Sequence, residues 1–396
     1  MTMRKLSGLL SILLLIAITS QSVIAQGYNF TDVKRNSATP VKNQASSGTC
    51  WSYATAAFLE SELLRTGKGE FDLSEIYIVR YNYLKRMDDN YLRQGKGNLG
   101  QGSLAHMFTN GVEEFGIVPQ EVYSGINYDS PVNNHKEVNK FINAISAAAV
   151  ELKQRSPEYY KLINSLMDIY FGAVPQTFTY KGKSYTPVGF AKFLGLNMSD
   201  YVEITSFSHI PFYKKSVIEV PDNWDHASFY NIPLDEFISV IDNALMSGYT
   251  VCWDGDVSEK GFSHTNGVAI NPNVQEIANL STEDRARFEK MTPEERYSDI
   301  YKFQKIFPEV NVTQEIRQRG YENFTTTDDH LMLLTGIVKD QNGNKYYITK
   351  NSWGTDRNRF GGYLNMSESF VKAKSISVMV HKESIPADIR KKLGIQ

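Results

Sequence analysis

Cys50 closes the run Gln44-Ala45-Ser46-Ser47-Gly48-Thr49-Cys50 and opens Cys50-Trp51-Ser52-Tyr53. Apolar residues then recur at helical spacing (Trp51, Ala54, Ala57, Phe58, Leu59) up to Thr66-Gly67, which predicts a helix starting at the cysteine. A helix N-terminus presents unpaired N–H groups and partial positive charge. Both favour the thiolate, the nucleophilic form of cysteine. Gln44, six residues upstream, brings a side-chain amide able to turn toward an oxyanion formed at the sulfur. A lone cysteine in such a place is more often a buried structural thiol, so the second half of the chain decides the matter.

Residues 325–354 contain two strand-like runs around Asp340-Gln341-Asn342-Gly343, and Asn-Gly is a strong hairpin signal. His330 opens the first run and Asn351 closes the second. Folding at that turn brings them roughly opposite each other, within the slack of one bulge. An asparagine there accepts from one imidazole nitrogen and leaves the other free to exchange a proton with Cys50.

The set Gln-(five residues)-Cys-Trp-Ser, then His, then Asn-Ser-Trp-Gly resembles the papain superfamily of cysteine peptidases. The resemblance implies Cys50 as nucleophile, His330 as general base and acid, and Asn351 as the residue that orients His330. It implies Gln44 with the Cys50 N–H as oxyanion hole, Trp353 as a shield over the Asn351–His330 bond, Trp51 as a supporting neighbour, and structural roles for Ser352 and Gly354. The 280 residues from Cys50 to His330 (330 − 50) are about twice the roughly 130–150 expected of papain and the cathepsins. A cysteine peptidase with so long an insertion resembles the bleomycin hydrolase and bacterial aminopeptidase C group. Phe115-Gly116-Ile117-Val118-Pro119, Met291-Thr292-Pro293-Glu294-Glu295-Arg296 and Thr327-Asp328-Asp329-His330 agree with it. In place of the superfamily's Gly-Gly on the cleft wall stands Asn98-Leu99-Gly100-Gln101-Gly102. Gly100 and Gln101 are therefore the expected substrate-binding positions, with Leu99 altering the adjacent subsite.

The expected fold is α+β and papain-like: a helical half, a β-barrel-like half, and a long, largely helical insertion at about 123–224. Within the insertion, amphipathic stretches near 135–153 and 156–171 precede a turn at Lys181-Gly182 and an N-cap at Thr186-Pro187. Pro233 is expected to open another helix, ending at Gly248, and Thr292-Pro293-Glu294-Glu295 carries the same start signal. The resemblance further implies a hexamer and a C-terminal arm, about 385–396, that blocks one end of the cleft. The arm would make the enzyme an aminopeptidase acting on peptide substrates, its carboxylate pairing with the substrate's α-ammonium. An endopeptidase of the same fold, an acyltransferase and an inactive papain-fold binding protein are the alternatives.

Composition narrows the classes. The chain has 396 residues, 41% hydrophobic, ample for a large core, and a net charge of −2 with no long basic run, which argues against nucleic-acid binding. The other histidines show no metal-ligand spacing, so neither metal nor other cofactor is expected; His264 is the rival base. Arg4 and Lys5 precede an apolar stretch from Leu9 to Ile18, then Val23-Ile24-Ala25. That reads as a signal peptide of residues 1–25 cut before Gln26, leaving a mature chain of 26–396 with no stable membrane anchor, secreted or periplasmic in a bacterium. Cys50 and Cys252 are the only cysteines; pairing them would block the nucleophile, so no disulfide is expected.

Overall fold

The computed structural model describes residues 27–276 and 280–396; the signal peptide expected at 1–25 lies outside the described residues. The fold is α+β. Its first layer is built on α1 (Cys50–Arg65), α2 (Glu75–Leu92) and α3 (Ala105–Phe115). The helix predicted from the cysteine does begin at Cys50, but it lacks the two-faced character of a surface helix, with residues 50–63 all buried. It is the central rod of the molecule, held between α2 and α3 on one side and the sheet on the other.

Burying a helix on every face also buries its charges. Glu60 and Glu62 are 0% and 1% exposed. Lys42 reaches Glu60 at 2.8 Å and Glu75 and Asp72 at 2.6 Å each, while Arg65 pairs with Glu62 at 2.7 Å. Each buried carboxylate thus meets a cation, as its desolvation demands.

The second layer is a long mixed sheet. Along its middle, Tyr201–Thr205, Ser375–His381, Val251–Gly255, His330–Lys339, Lys345–Lys350 and Tyr363–Ser367 lie side by side in that order. The predicted hairpin forms. Asp340 Oδ1 accepts from the N–H groups of Asn342 and Asn344, and Gly343 takes φ +87° to close the turn. Leu333 pairs with Lys350 and, beyond a bulge between Leu334 and Gly336, Gly336 pairs with Ile348. Continued past Leu333, this register sets Asn351 opposite Met332. His330 is therefore its diagonal neighbour on the same face, a spacing side chains still bridge.

The insertion contains α4 (Lys136–Leu152), α5 (Pro157–Phe171), a short hairpin (Phe178–Tyr180 with Lys183–Tyr185) and α6 (Pro187–Leu194). Ser156 and Thr186 cap their helices, each followed by proline. The insertion's expected end at 224 is not where helical structure gives way: Tyr201–Thr205 joins the main sheet beside Ser375–His381. Alternation of Val202 and Ile204 marks it as a strand. α7 (Leu234–Met246) follows Pro233 as expected.

The C-terminal segment departs from the expected cleft-blocking arm. Residues Ala387–Leu393 form a helix whose Ile389 and Leu393 are buried in the cluster that includes Phe237 and Ile241 of α7. Lys392 pairs with Glu236 at 2.6 Å. Ile389 and Leu393, four residues apart, make one apolar face that enters this cluster. No residue of 385–396 lines the cleft at Cys50.

Candidate active site

The loop before α1 is fixed from three directions. Ser46 N–H donates to Asn133 O, and His135 N–H to Ser46 O, which ties the loop to the start of the insertion. Gly48 N–H donates to Gln101 Oε1 (2.7 Å), and the Trp51 indole N–H to Gln101 O (3.0 Å). Gln44 N–H donates to Ser352 O (2.8 Å), and Asn43 bridges to Trp353. Thr49, at the N-cap, offers no side-chain hydrogen bond to the first turn, so the helix end at Cys50 keeps its electropositive character.

On the sheet side, His330 Nε2–H donates to Asn351 Oδ1 at 2.8 Å, which leaves Nδ1 as the nitrogen for proton exchange. Asn351 Oδ1 also accepts from Ser352 N–H (2.7 Å), and its Nδ2 donates to His264 Nδ1 (3.4 Å). His264 therefore stands behind Asn351 as a neighbour of the orienting residue; it is absent from the lining of the Cys50 cleft. The Trp353 ring lies 4.9 Å from the His330 ring and covers it, with Phe262 edge-on behind.

Ser352, expected to be structural, has a partner that the sequence does not name. Its hydroxyl donates to Gln44 Oε1 at 2.6 Å, while Gln44 Nε2 donates to Ser47 O at 2.8 Å. The amide is clamped at both ends, with the second Nε2–H free of the clamp. The adjacency of Ser352 to Asn351 is the only sequence signal for this, and it is silent about which residue the hydroxyl meets.

Gln44, Gly48, Cys50, Gln101 and His330 line one open cleft of about 610 Å³. Trp51 lies beneath it, 0% exposed. Gly100 is not in it. Its N–H donates to Asn98 Oδ1 (2.7 Å), a local turn that swings Gly100 and Leu99 into a neighbouring groove against α4. Gly102 takes the wall position instead, so Leu99 does not shape the cleft. Asp222 and Asp329, which were not foreseen, line it, with exposed Lys136 as its basic group.

Burial dominates the electrostatics. It pushes the Cys50 thiol up to about 12, against the Leu331 backbone N–H, and the charges of Asp222, Asp254 and Asp328 raise it further. Burial likewise pushes His330 down to about 4, partly offset by its bond to Asn351. A lone thiolate and a lone imidazolium are each disfavoured here. Passing the proton from sulfur to ring creates both charges together, where each offsets the other's desolvation. Such an arrangement is suited to nucleophilic attack by sulfur with proton transfer through the imidazole.

With this geometry in place, comparison with known proteins is informative. A profile of the Peptidase C1-like family matches residues 16–280 and 287–395. The chain is 22% identical over 412 residues to a mitochondrial protein named Cysteine proteinase 1 from Saccharomyces cerevisiae, covering 92% of this chain and 79% of that one. It is 20% identical over 395 residues to Aminopeptidase C of Lactobacillus helveticus, covering 88% and 81%. The crystal structure of pepw from a Lactobacillus rhamnosus strain superposes with a TM-score of 0.67 at 18% identity, over 92% and 84% of the two chains. A cleft built around a helix-borne cysteine, a strand-borne histidine and an asparagine beside it is thus accompanied by a family match over nearly the whole sequence: this chain belongs to the Peptidase C1-like family of cysteine peptidases.

Proposed function

We propose that the chain is a cysteine aminopeptidase that removes N-terminal residues from peptides through an acyl-enzyme on Cys50. The observation that carries the mechanism is the bond from His330 Nε2 to Asn351 Oδ1, which fixes the tautomer that turns Nδ1 toward proton exchange. Cys50 Sγ attacks the carbonyl carbon as its proton passes to His330, and the Cys50 N–H and Gln44 Nε2–H stabilise the oxyanion. His330 gives the proton to the leaving amine as the C–N bond breaks. Water, deprotonated by His330, then hydrolyses the thioester and restores the thiol.

Support for exopeptidase action comes from the name Aminopeptidase C borne by relatives from two lactic acid bacteria. Export belongs to the same reading and rests on the basic residues and apolar stretch before Gln26. Hexamer formation is carried over from the sequence resemblance. Hydrolysis of paired peptides with free and acetylated N-termini tests the activity, under reducing conditions, with wild type and Cys50→Ala. Cleavage of the free peptide alone, lost in the variant, supports the reading. Equal cleavage of both peptides makes the enzyme an endopeptidase, and cleavage of neither removes the reading.

A further inference from the structure

The chain beyond the scissile bond leaves on the side of His330, because His330 hands the leaving amine its proton. That side is walled by Trp353, whose half-buried ring lies 4.9 Å from the His330 ring. His264 sets its own ring edge-on to Trp353 at 5.1 Å.

The loop that follows Trp353, residues 354–362, is pinned to this wall. Gly354 N–H donates to Lys42 O (3.1 Å), and Asn351 N–H donates to Gly362 O (3.2 Å). Midway, Asn358 Oδ1 accepts from the N–H groups of Phe360 (3.0 Å) and Gly362 (2.9 Å). Its Nδ2 donates to His264 O (3.0 Å) and Tyr363 O (2.9 Å). Gly362 has φ +86°, and a Cβ there would meet Gly354 O at 2.7 Å. The loop is thus a fixed ledge, continuous with the strip that carries Asn351.

The exposed tip of the ledge carries Arg357 and Arg359. The Arg359 guanidinium lies over the Phe360 ring, 5.1 Å from its centroid. Arg357 makes no hydrogen bond or ion pair among the described residues, not even with adjacent Asp356. By contrast Arg65, Arg93 and Arg155 each hold a carboxylate. Burial, and then the Arg357 charge, hold the His264 ring below the ordinary histidine range. The guanidinium therefore stands near His264, at the Trp353 end of the site. A planar guanidinium with its donors open matches a carboxylate, which it binds through two parallel N–H bonds.

We propose that Arg357 binds a carboxylate carried by the leaving fragment of the peptide. This rests on the peptidase reading above and adds to it a preference in the part of the substrate beyond the scissile bond. Two sources supply such a group: the C-terminus of a short peptide, and an acidic side chain just past the bond that is cut.

Three tripeptides separate them. Alanyl-glutaminyl-alanine amide has a neutral leaving fragment, alanyl-glutamyl-alanine amide a side-chain carboxylate, and alanyl-glutaminyl-alanine a terminal one. The full-length enzyme is assayed for kcat/KM under reducing conditions, with mass spectrometry to identify the bond cut. At least one acidic peptide should exceed the neutral one by about 3- to 5-fold, and whichever does so identifies the source. That ratio should fall toward one at about 1 M salt and in Arg357→Gln, and drop below one in Arg357→Glu. Arg359→Gln, on the same loop, should keep it. A wild-type ratio of one, a ratio that survives Arg357→Gln, or one abolished equally by Arg359→Gln overturns the proposal. Cys50-dependent cleavage of all three peptides without preference removes Arg357 alone. Cleavage of none removes the parent reading and this proposal with it.

Discussion

The Ser352 hydroxyl donates to Gln44 Oε1 at 2.6 Å, joining the strip that carries Asn351 to the amide proposed to stabilise the oxyanion. This buried hydrogen bond, with that from Gln44 N–H to Ser352 O, sets the two halves of the site relative to one another. Ser352→Ala releases one end of that clamp. It should lower kcat about tenfold with little change in KM, because the donor matters most in the transition state. Gln44→Ala should cost about 10²- to 10³-fold in kcat. Steady-state kinetics checks both, and a Ser352→Ala effect confined to KM would show that the clamp positions substrate instead.

His330 sets the acid limb. Its ring is held near 4 by burial, below the ordinary 6.5 or so for histidine. Protonating it removes the base, so kcat/KM should stay high down through pH 6 and fall only near pH 4. The Asn351 bond pulls the ring upward, and a carboxylate there would pull harder. Asn351→Asp should therefore shift the limb to higher pH. A wild-type limb at pH 6.5 would contradict the burial argument.

Cys50 senses Asp222. The carboxylate's charge raises the thiol, so Asp222→Asn should move the pH midpoint of iodoacetamide alkylation at Cys50 downward. Cys252, 1% exposed with its sulfur 3.8 Å from Thr55 Oγ1, should not react in the folded protein. Peptide mapping after alkylation reads both; labelling of Cys252 at a comparable rate would contradict its placement.

Lys42 holds Glu60 and Glu75 under α1. Lys42→Met leaves two buried carboxylates without their cation and should cost about 3–5 kcal/mol at neutral pH. Glu75 is raised to about 7 by burial and by Glu60, above its unfolded value near 4.3. A raised carboxyl favours the folded state at low pH, and this contribution is lost as pH climbs from about 4.3 through 7. The variant's deficit should thus be smaller at pH 5 than at pH 8, as measured by urea unfolding.

Much of this site was legible before the fold was known, and the reasons are local. Cys50 at a helix start, the Asn-Gly turn and the Asn351-Ser352-Trp353 strip each announce themselves within a few residues, because capping, turn chemistry and period are short-range. The bulge after Leu334 set His330 and Asn351 diagonally without breaking their bond. What escaped depends on contacts distant in sequence. Gly100 is expected at the cleft from its place in the sequence, and nothing nearby shows that Asn98 turns it away. Asp222 reaches the cleft across 172 residues from Cys50 (222 − 50), through a loop pinned to Asn98 and Asp328. The strand Tyr201–Thr205 is placed by Ser375–His381, and the C-terminal helix by α7, partners that periodicity alone cannot name.

The most direct measurement is capture of the acyl-enzyme. Wild type and Cys50→Ala are mixed with the p-nitrophenyl ester of alanine, quenched in acid within milliseconds, digested and mapped by mass spectrometry. The account predicts an alanyl adduct on the peptide carrying Cys50, formed in a burst and absent from the variant. Turnover that proceeds undiminished in Cys50→Ala, with no adduct at residue 50 of the wild type, would contradict it.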